Sequence, residues 1–263
     1  MKAGINVWTW GFETKPPFEQ AVREVGDLGY PAIENISRIA DVYADSVDEF
    51  KDLMAANNME LACAYHHFSG DYEDDYARAE RYLKFMQQVG ASIMNLQAAR
   101  RPEGGPSSDD LAETVRQITR IARAAQDHGV KLCVHPHYAT IIERANELAY
   151  VAENTDPEFV FLTIDTAHTV LGGMDPVETV EKYAGRVRYM HMKDILPVED
   201  PSVPWYSGFR ELGRGIVNFP KIVSILGKAG FDGVLCVELD RPRVCGYRSA
   251  AISRQYLRDE LGL

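Results

Sequence analysis

"QDHGVKLCVHPH", residues 126–137, carries the pattern that decides the fold. A helix-like stretch ends at Gly129, and an apolar run follows at once and closes on two histidines. The same order returns as "VGDLGYPAIE" (25–34), "QQVGASIMNLQ" (87–97), "KYAGRVRYMHMKD" (182–194) and "GKAGFDGVLCVEL" (227–239). Gly29, Gly90, Gly129, Gly185 and Gly230 are expected in the left-handed conformation that closes a helix. The runs behind them are short and mostly rich in Val, Ile, Leu, Met and Cys, the composition of strands buried on both faces of a parallel sheet. Continued along the chain, the pattern predicts strands near 3–8, 31–34, 60–65, 91–97, 131–136, 159–164, 187–192 and 233–238. Helices are predicted near 16–28, 46–57, 73–89, 108–128, 140–153, 175–183, 218–229 and 247–260. Eight alternating pairs in 263 residues favour an α/β fold of the closed (β/α)₈ TIM-barrel type, one domain over 1–263. No G-x-G-x-x-G or phosphate-binding loop follows a strand, which removes the usual support for an open nucleotide-binding sheet.

A chain that is 46% hydrophobic and 25% charged is an ordinary globular one. Its net charge of −11, with no basic stretch, opposes nucleic acid and anionic membrane surfaces as partners. No transmembrane or signal segment is visible in "MKAGINVWTWG", and a cytoplasmic location is expected. Cys63, Cys133, Cys236 and Cys245 form no CxxC, and three of them lie in strand-like runs, so buried thiols in a reducing compartment are expected.

Seven histidines stand at 66, 67, 128, 135, 137, 168 and 191. All but His128 fall at or just past predicted C-terminal strand ends, which in a barrel converge on one face. Glu34, Asp165 and Glu238 join them there. Core packing would not sort imidazoles and carboxylates to one end of the strands, whereas metal binding or acid–base chemistry would. Asp165, directly after "FLTI", is costly to bury alone and reads as a metal ligand, with a cap on the following turn as the structural alternative. His191 in "RYMHMKD" and Glu238 in "VLCVELD" read as ligands, against a buried hydrogen-bonded histidine and a salt-bridged glutamate. Lys193 shares the side of His191 and could bind an anionic oxygen or act as an acid.

Further substrate contacts are expected from His168, from His66 of "CAYHHF", from Glu34 and Gln97 through hydroxyls, and from Trp8 as an apolar wall. Arg214 in "GRG" (213–215) is placed with them. The long connection 194–217, with Trp205, Tyr206 and Phe209, is expected over the active face. Arg100 and Arg101 in "AARRPEGGPS" (98–107) are expected in a solvated loop, with a phosphate contact as the alternative. Mixed oxygen and imidazole ligands suit one divalent transition metal, Mn²⁺ or Co²⁺ first and Zn²⁺, Fe²⁺ or Ni²⁺ after them. Such an ion can bind adjacent oxygens of a hydroxyketone and stabilise the enediolate left when a neighbouring C–H proton departs.

These residues resemble the xylose isomerase-like TIM barrels, a superfamily of sugar isomerases, epimerases, inosose dehydratases and an apurinic endonuclease branch. "TIDTAH" (163–168) is similar to the family's D-x-x-H, "MHMKD" (190–194) to its H-x-K-D, "VLCVEL" (234–239) to its terminal Glu, and "GRGIVNFPKIVSILGKAGFDG" (213–233) to its G-x-G segment and following helix. The epimerases carry a Glu on strand five where this chain has His135. "HPHYAT" (135–140) is instead similar to the histidine-rich segment of inosose dehydratases. The resemblance thus implies metal ligands His135, Asp165, His191 and Glu238, with His137 beside them.

It also implies a sugar or polyol substrate and a homo-oligomer. With a histidine in place of one carboxylate, a dehydratase or related β-eliminating lyase on a keto-sugar or keto-polyol is expected. Glu238 or His137 would be the base, and Lys193 or a pocket histidine the acid. An isomerase or 3-epimerase on the same site is the alternative, and a non-catalytic sugar-binding barrel a minor one. The endonuclease branch fits badly, because strand four ends in Gln97 and "DILP" (194–197) has no histidine.

Overall fold

The computed structural model describes residues 1–198, 200, 202–242 and 244–263. Eight parallel strands close into a barrel. They are β1 (Lys2–Asn6), β2 (Ala32–Ile36), β3 (Glu60–His67), β4 (Ile93–Gln97), β5 (Lys131–His135), β6 (Val160–Asp165), β7 (Val187–Met192) and, closing against β1, β10 (Val234–Val237). The intervening β8 (Asp194–Ile195) and β9 (Phe209–Arg210) form a small antiparallel ladder above the barrel. Eight helices separate the strands much as the periodicity predicts. These are α1 (Lys15–Asp27), α3 (Val47–Ala56), α4 (Tyr72–Val89), α5 (Ser108–Asp127), α6 (Ala145–Asn154), α8 (Pro176–Tyr183), α9 (Phe219–Lys228) and α10 (Gly246–Leu261).

The helices begin and end where local chemistry directs. Asp71 caps α4 by accepting from the Asp74 N–H, and Ser107 and Asp110 form a reciprocal capping box on α5. Gly29, Gly90, Gly129 and Gly230 take positive φ as expected. Gly185 does not, which corrects the expectation for it. The chain leaves α8 through a right-handed turn in which the Arg186 N–H donates to the Tyr183 carbonyl, so no left-handed residue is needed there. Two short helices were not legible, α2 (Ile39–Val42) and α7 (Thr166–Leu171). The helix expected from 140 begins only at Ala145, because 136–144 is a built loop.

The main core lies outside the barrel, where Phe18, Leu83, Ile121, Leu148 and Phe219 are buried between strands and helices. The barrel interior has its own, smaller layer of Ala32, Cys63, Ile93, Cys133, Tyr189, Val234 and Cys236. The three cysteines expected to be buried are so, and Cys245 is exposed.

Candidate active site

Side chains alternate across each strand, so the interior of the barrel is read in steps of two. Above the apolar layer the inward columns run Asn6–Trp8, Glu34–Ile36, Tyr65, Asn95–Gln97, His135–His137, Thr163–Asp165, His191–Lys193 and Glu238–Asp240. Strand register sets their heights: Gln97 lies beside His135, and Asp165 beside His191, which lies beside Cys236. The polar half of the barrel is thus its C-terminal end.

His191 is the centre of the cluster. Its Nε2 lies 2.9 Å from Glu34 Oε2, and Glu34 in turn accepts from Asn6 and Asn95 at 3.2 Å each. Its Nδ1 faces Glu238 Oε2 at 3.0 Å and Asp165 Oδ2 at 3.7 Å. His135 Nε2 approaches the same Asp165 oxygen at 3.7 Å. Among the described residues, His135 Nε2, Asp165 Oδ2, His191 Nδ1 and Glu238 Oε2 are all buried without a hydrogen-bond partner. With Nε2–H given to Glu34, Nδ1 faces two carboxylate oxygens, so the space between them calls for positive charge: a proton on Nδ1, or a metal ion that displaces it. His135, Asp165 and His191 already bring ligand atoms within 4.8 Å of one another, and Glu238 adjoins them, so the donor set fits a divalent transition metal.

Asp165 does two things at once. Its Oδ1 caps α7 by accepting from the His168 N–H at 2.9 Å, while Oδ2 points into the cluster. Burial opposes charge on His191, but Glu238 and Glu34 outweigh it and hold the imidazole pKa well above its ordinary value. Burial would raise Asp165 and Glu238; Lys193 with His168 pulls Asp165 well down, and His191 with Lys193 brings Glu238 to about 2. Lys193 Nζ sits 3.0 Å from Asp240 Oδ2, 3.0 Å from Glu238 Oε2 and 3.3 Å from Asp165 Oδ2. Burial disfavours its charge, yet Asp165 and Asp240 raise its pKa, so it is a locked ammonium. Asp240 is pushed up to about 6 by burial, against the pull of Lys193.

A cavity of about 280 Å³ opens above this cluster. Glu238, Asp240, Arg241, Gln97, Tyr65, His137 and Asn6 supply its polar lining, and Trp8, Trp205 and Tyr206 its aromatic walls. The tyrosine hydroxyl of Tyr65 donates to Gln97 and lies 3.3 Å from His135 Nδ1. His137 donates Nδ1–H to the Tyr138 carbonyl at 2.7 Å, which leaves Nε2 bare. Burial, then His135 and Lys193, lower its pKa to about 3 and keep it neutral. The long connection does reach over this face: Trp205 and Tyr206 come from a one-turn 3₁₀ helix, Trp205–Gly208, though residues 199 and 201 of it lie outside the described residues.

Of the residues expected to touch substrate, Trp8 and Gln97 line the cavity, and four others do not. His66 has the wrong parity: it faces outward under α4, with Nε2 3.2 Å from the Asp75 carbonyl and its ring against Tyr82. Glu34 lies one pleat too deep, both oxygens engaged by His191, Asn6 and Asn95, and Ile36 takes its place at the cavity. His168 is stacked behind His137, ring centroids 3.6 Å apart, and is fully buried. Arg214 is exposed and turned to Glu211 at 3.7 Å. Lys193 is buried and does not itself line the cavity, its Nζ held against Glu238 and Asp240, which do. Tyr65, Asn95, Asn6 and Asp240 were missed, although counting in twos from Gln97, Trp8 and Glu238 finds all but Tyr65, which the histidines beside it concealed.

Residues 22–260 match the sequence profile of the family described as xylose isomerase-like TIM barrel, and the chain belongs to that family. It is 25% identical over 297 aligned positions to a Clostridium beijerinckii protein named inosose dehydratase, covering 100% of this chain and 98% of that one. Among solved structures, it superposes with a TM-score of 0.83 and 16% identity on "probable 3-DHS dehydratase AsbF involved in the petrobactin synthesis from Bacillus anthracis", over 99% of this chain and 100% of that one. The IOLI protein with a bound zinc atom superposes with a TM-score of 0.81 and 16% identity, over 98% and 97%. At these identities the two structures share the fold.

Proposed function

We propose that this chain is a divalent-metal-dependent hydro-lyase that removes water from a keto-sugar or keto-polyol. The observation that carries it is the convergence of two buried imidazole nitrogens and two buried carboxylate oxygens, on His135, His191, Asp165 and Glu238, with Glu238 opening onto the cavity. Full-length similarity to an inosose dehydratase supports the choice of reaction. Those four residues would hold one ion, Mn²⁺ or Co²⁺ first. When bound, the ion supplies a Lewis acid that polarises the substrate carbonyl and acidifies the adjacent C–H.

The other steps belong to the chain. A volume of about 280 Å³ is at the small end for a ligand site and suits a single polyol ring. Gln97 and Tyr65 hold ring hydroxyls, while Trp8, Trp205 and Tyr206 cover the apolar face of the ring and exclude water. His137, through its bare Nε2, takes the proton α to the carbonyl. The β C–O bond breaks, and Asp240 gives its proton to the departing hydroxyl, which leaves as water. Lys193 balances the charge of Asp165 and Glu238 and holds Asp240 in place through a hydrogen bond to its Oδ2.

One observation favours a second reading, an epimerase on the same site: two carboxylates, Glu238 and Asp240, line the cavity. Incubation of the Mn²⁺-loaded protein with inosose and with ketohexoses separates the two. A dehydrated product from inosose is expected, and ketose–ketose exchange with no dehydrated product would sink the lyase.

A further inference from the structure

The loop that carries His137 is held by a buried ion pair that the reaction above does not use. Arg101 places Nη1 and Nη2 on the two carboxylate oxygens of Glu147 at 2.9 and 2.8 Å, with side chains only 14% and 3% exposed. This overturns the expectation of a solvated Arg101. Glu147 Oε2 also accepts the N–H groups of Glu143 and Arg144 at 2.9 and 2.8 Å, at the N-terminus of α6 where an anion is favoured. Glu143 Oε2 then accepts the N–H of Ala139 at 2.8 Å. Ala139 has φ +64°, a conformation that a residue with a Cβ keeps only where its surroundings impose it.

The remaining contacts lead to His137. The Arg101 N–H donates to Ala139 O at 2.9 Å, Thr140 Oγ1 donates to His137 O at 2.7 Å, and the His137 N–H donates to Ile142 O at 2.9 Å. Helix α7, which carries His168, abuts the same loop so closely that a Cβ on Gly172 would collide with the Glu143 carbonyl. His168 meets His137 ring to ring. Neither Arg101, Glu143 nor Glu147 lines the cavity.

We propose that Arg101 is a positioning residue: through Glu147 and Glu143 it sets the 136–144 loop so that His137 presents its bare Nε2 to the cavity. The proposal rests on the reading of His137 as the proton acceptor. Only a guanidinium offers two parallel donors to one carboxylate, so a lysine should hold the loop less well.

The test compares Arg101→Gln and Arg101→Lys with the parent in three measurements. These are long-range ¹H–¹⁵N NMR of the His137 ring, metal affinity by dye competition, and kcat and KM on the substrate found above. The parent should show the neutral Nδ1–H tautomer. Arg101→Gln should show a mixture of tautomers and a kcat lower by about 10- to 100-fold, with KM and metal affinity little changed. Arg101→Lys should recover part of the kcat.

Parental His137 signals and kcat in Arg101→Gln overturn the proposal. So does a loss of metal affinity in step with kcat, which would mark a merely structural role. Should Arg101→Gln fail to fold, Arg101→Lys carries the same test, with parental signals and kcat overturning the proposal and shifted tautomers with lowered kcat supporting it. A parental kcat in His137→Asn would instead remove His137 from the reaction, while the ring signals of Arg101→Gln would still report on the clamp.

Discussion

Glu34 accepts from His191 Nε2 at 2.9 Å and fixes which ring nitrogen is left to face Asp165 and Glu238. Glu34→Gln keeps the shape but removes the charge that makes the imidazole a better donor. Metal affinity should fall by about 10- to 100-fold, read by competition with a chromophoric chelator. His66 makes a separate prediction away from the site. Burial lowers its pKa to about 4 from an ordinary 6.5, so between those values the unfolded chain binds a proton that the folded one does not. Stability therefore rises with pH across that window and is lost as pH falls from about 6.5 to about 4, by roughly 3 kcal/mol from this residue. His66→Asn should flatten the slope of urea-unfolding free energy over that range, and an unchanged slope would refute the burial argument.

Among the elements, the segment "GRG" shows what motif length conceals. Asp194, at the start of β8, accepts from the N–H groups of Ile195, Gly215 and Val217 at 3.0, 2.8 and 3.2 Å. Gly213 has φ +78°, and a Cβ on Gly215 would collide with the Asp194 carboxylate. The turn thus ties the long connection, with Trp205 and Tyr206, to the end of β7. Gly215→Ala should destabilise the fold by about 1–3 kcal/mol through overpacking and weaken substrate binding as the aromatic roof shifts, checked by denaturant titration and calorimetry. The strands were legible because their apolar runs are punctuated by glycine. Helix α7 was not, because "TAHTVL" follows Asp165 with no glycine or proline between strand and helix. The side chain that caps it, Asp165, looks in sequence like a ligand alone.

At the scale of the molecule, a cation at the floor of the barrel would be bound by the folded chain and by no comparable array in the unfolded one. Metal at a hundred times its Kd should add about 2.7 kcal/mol of stability. For a chain of this size that is a Tm increase of roughly 5–10 °C. Thermal melts with Mn²⁺ and with excess chelator measure it, and coincident melts would argue that the four residues hold no ion. No described helix is long and apolar enough to cross a membrane.

The order of strands and helices, the barrel, and the gathering of His135, Asp165, His191 and Glu238 at one end were determined by the sequence alone. Hydrophobic period and glycine placement are local properties, and barrel closure brings every strand end to one face. Which of the neighbouring polar residues reach the cavity was decided only in three dimensions. A single step along a strand turns His66 outward while Tyr65 turns in, and a single pleat puts Glu34 beneath the site instead of in it. Lys193 and Arg101 were decided the same way. Each is a cation whose partners lie far along the chain, at Asp240 and Glu147, so its burial depends on contacts that no local pattern encodes.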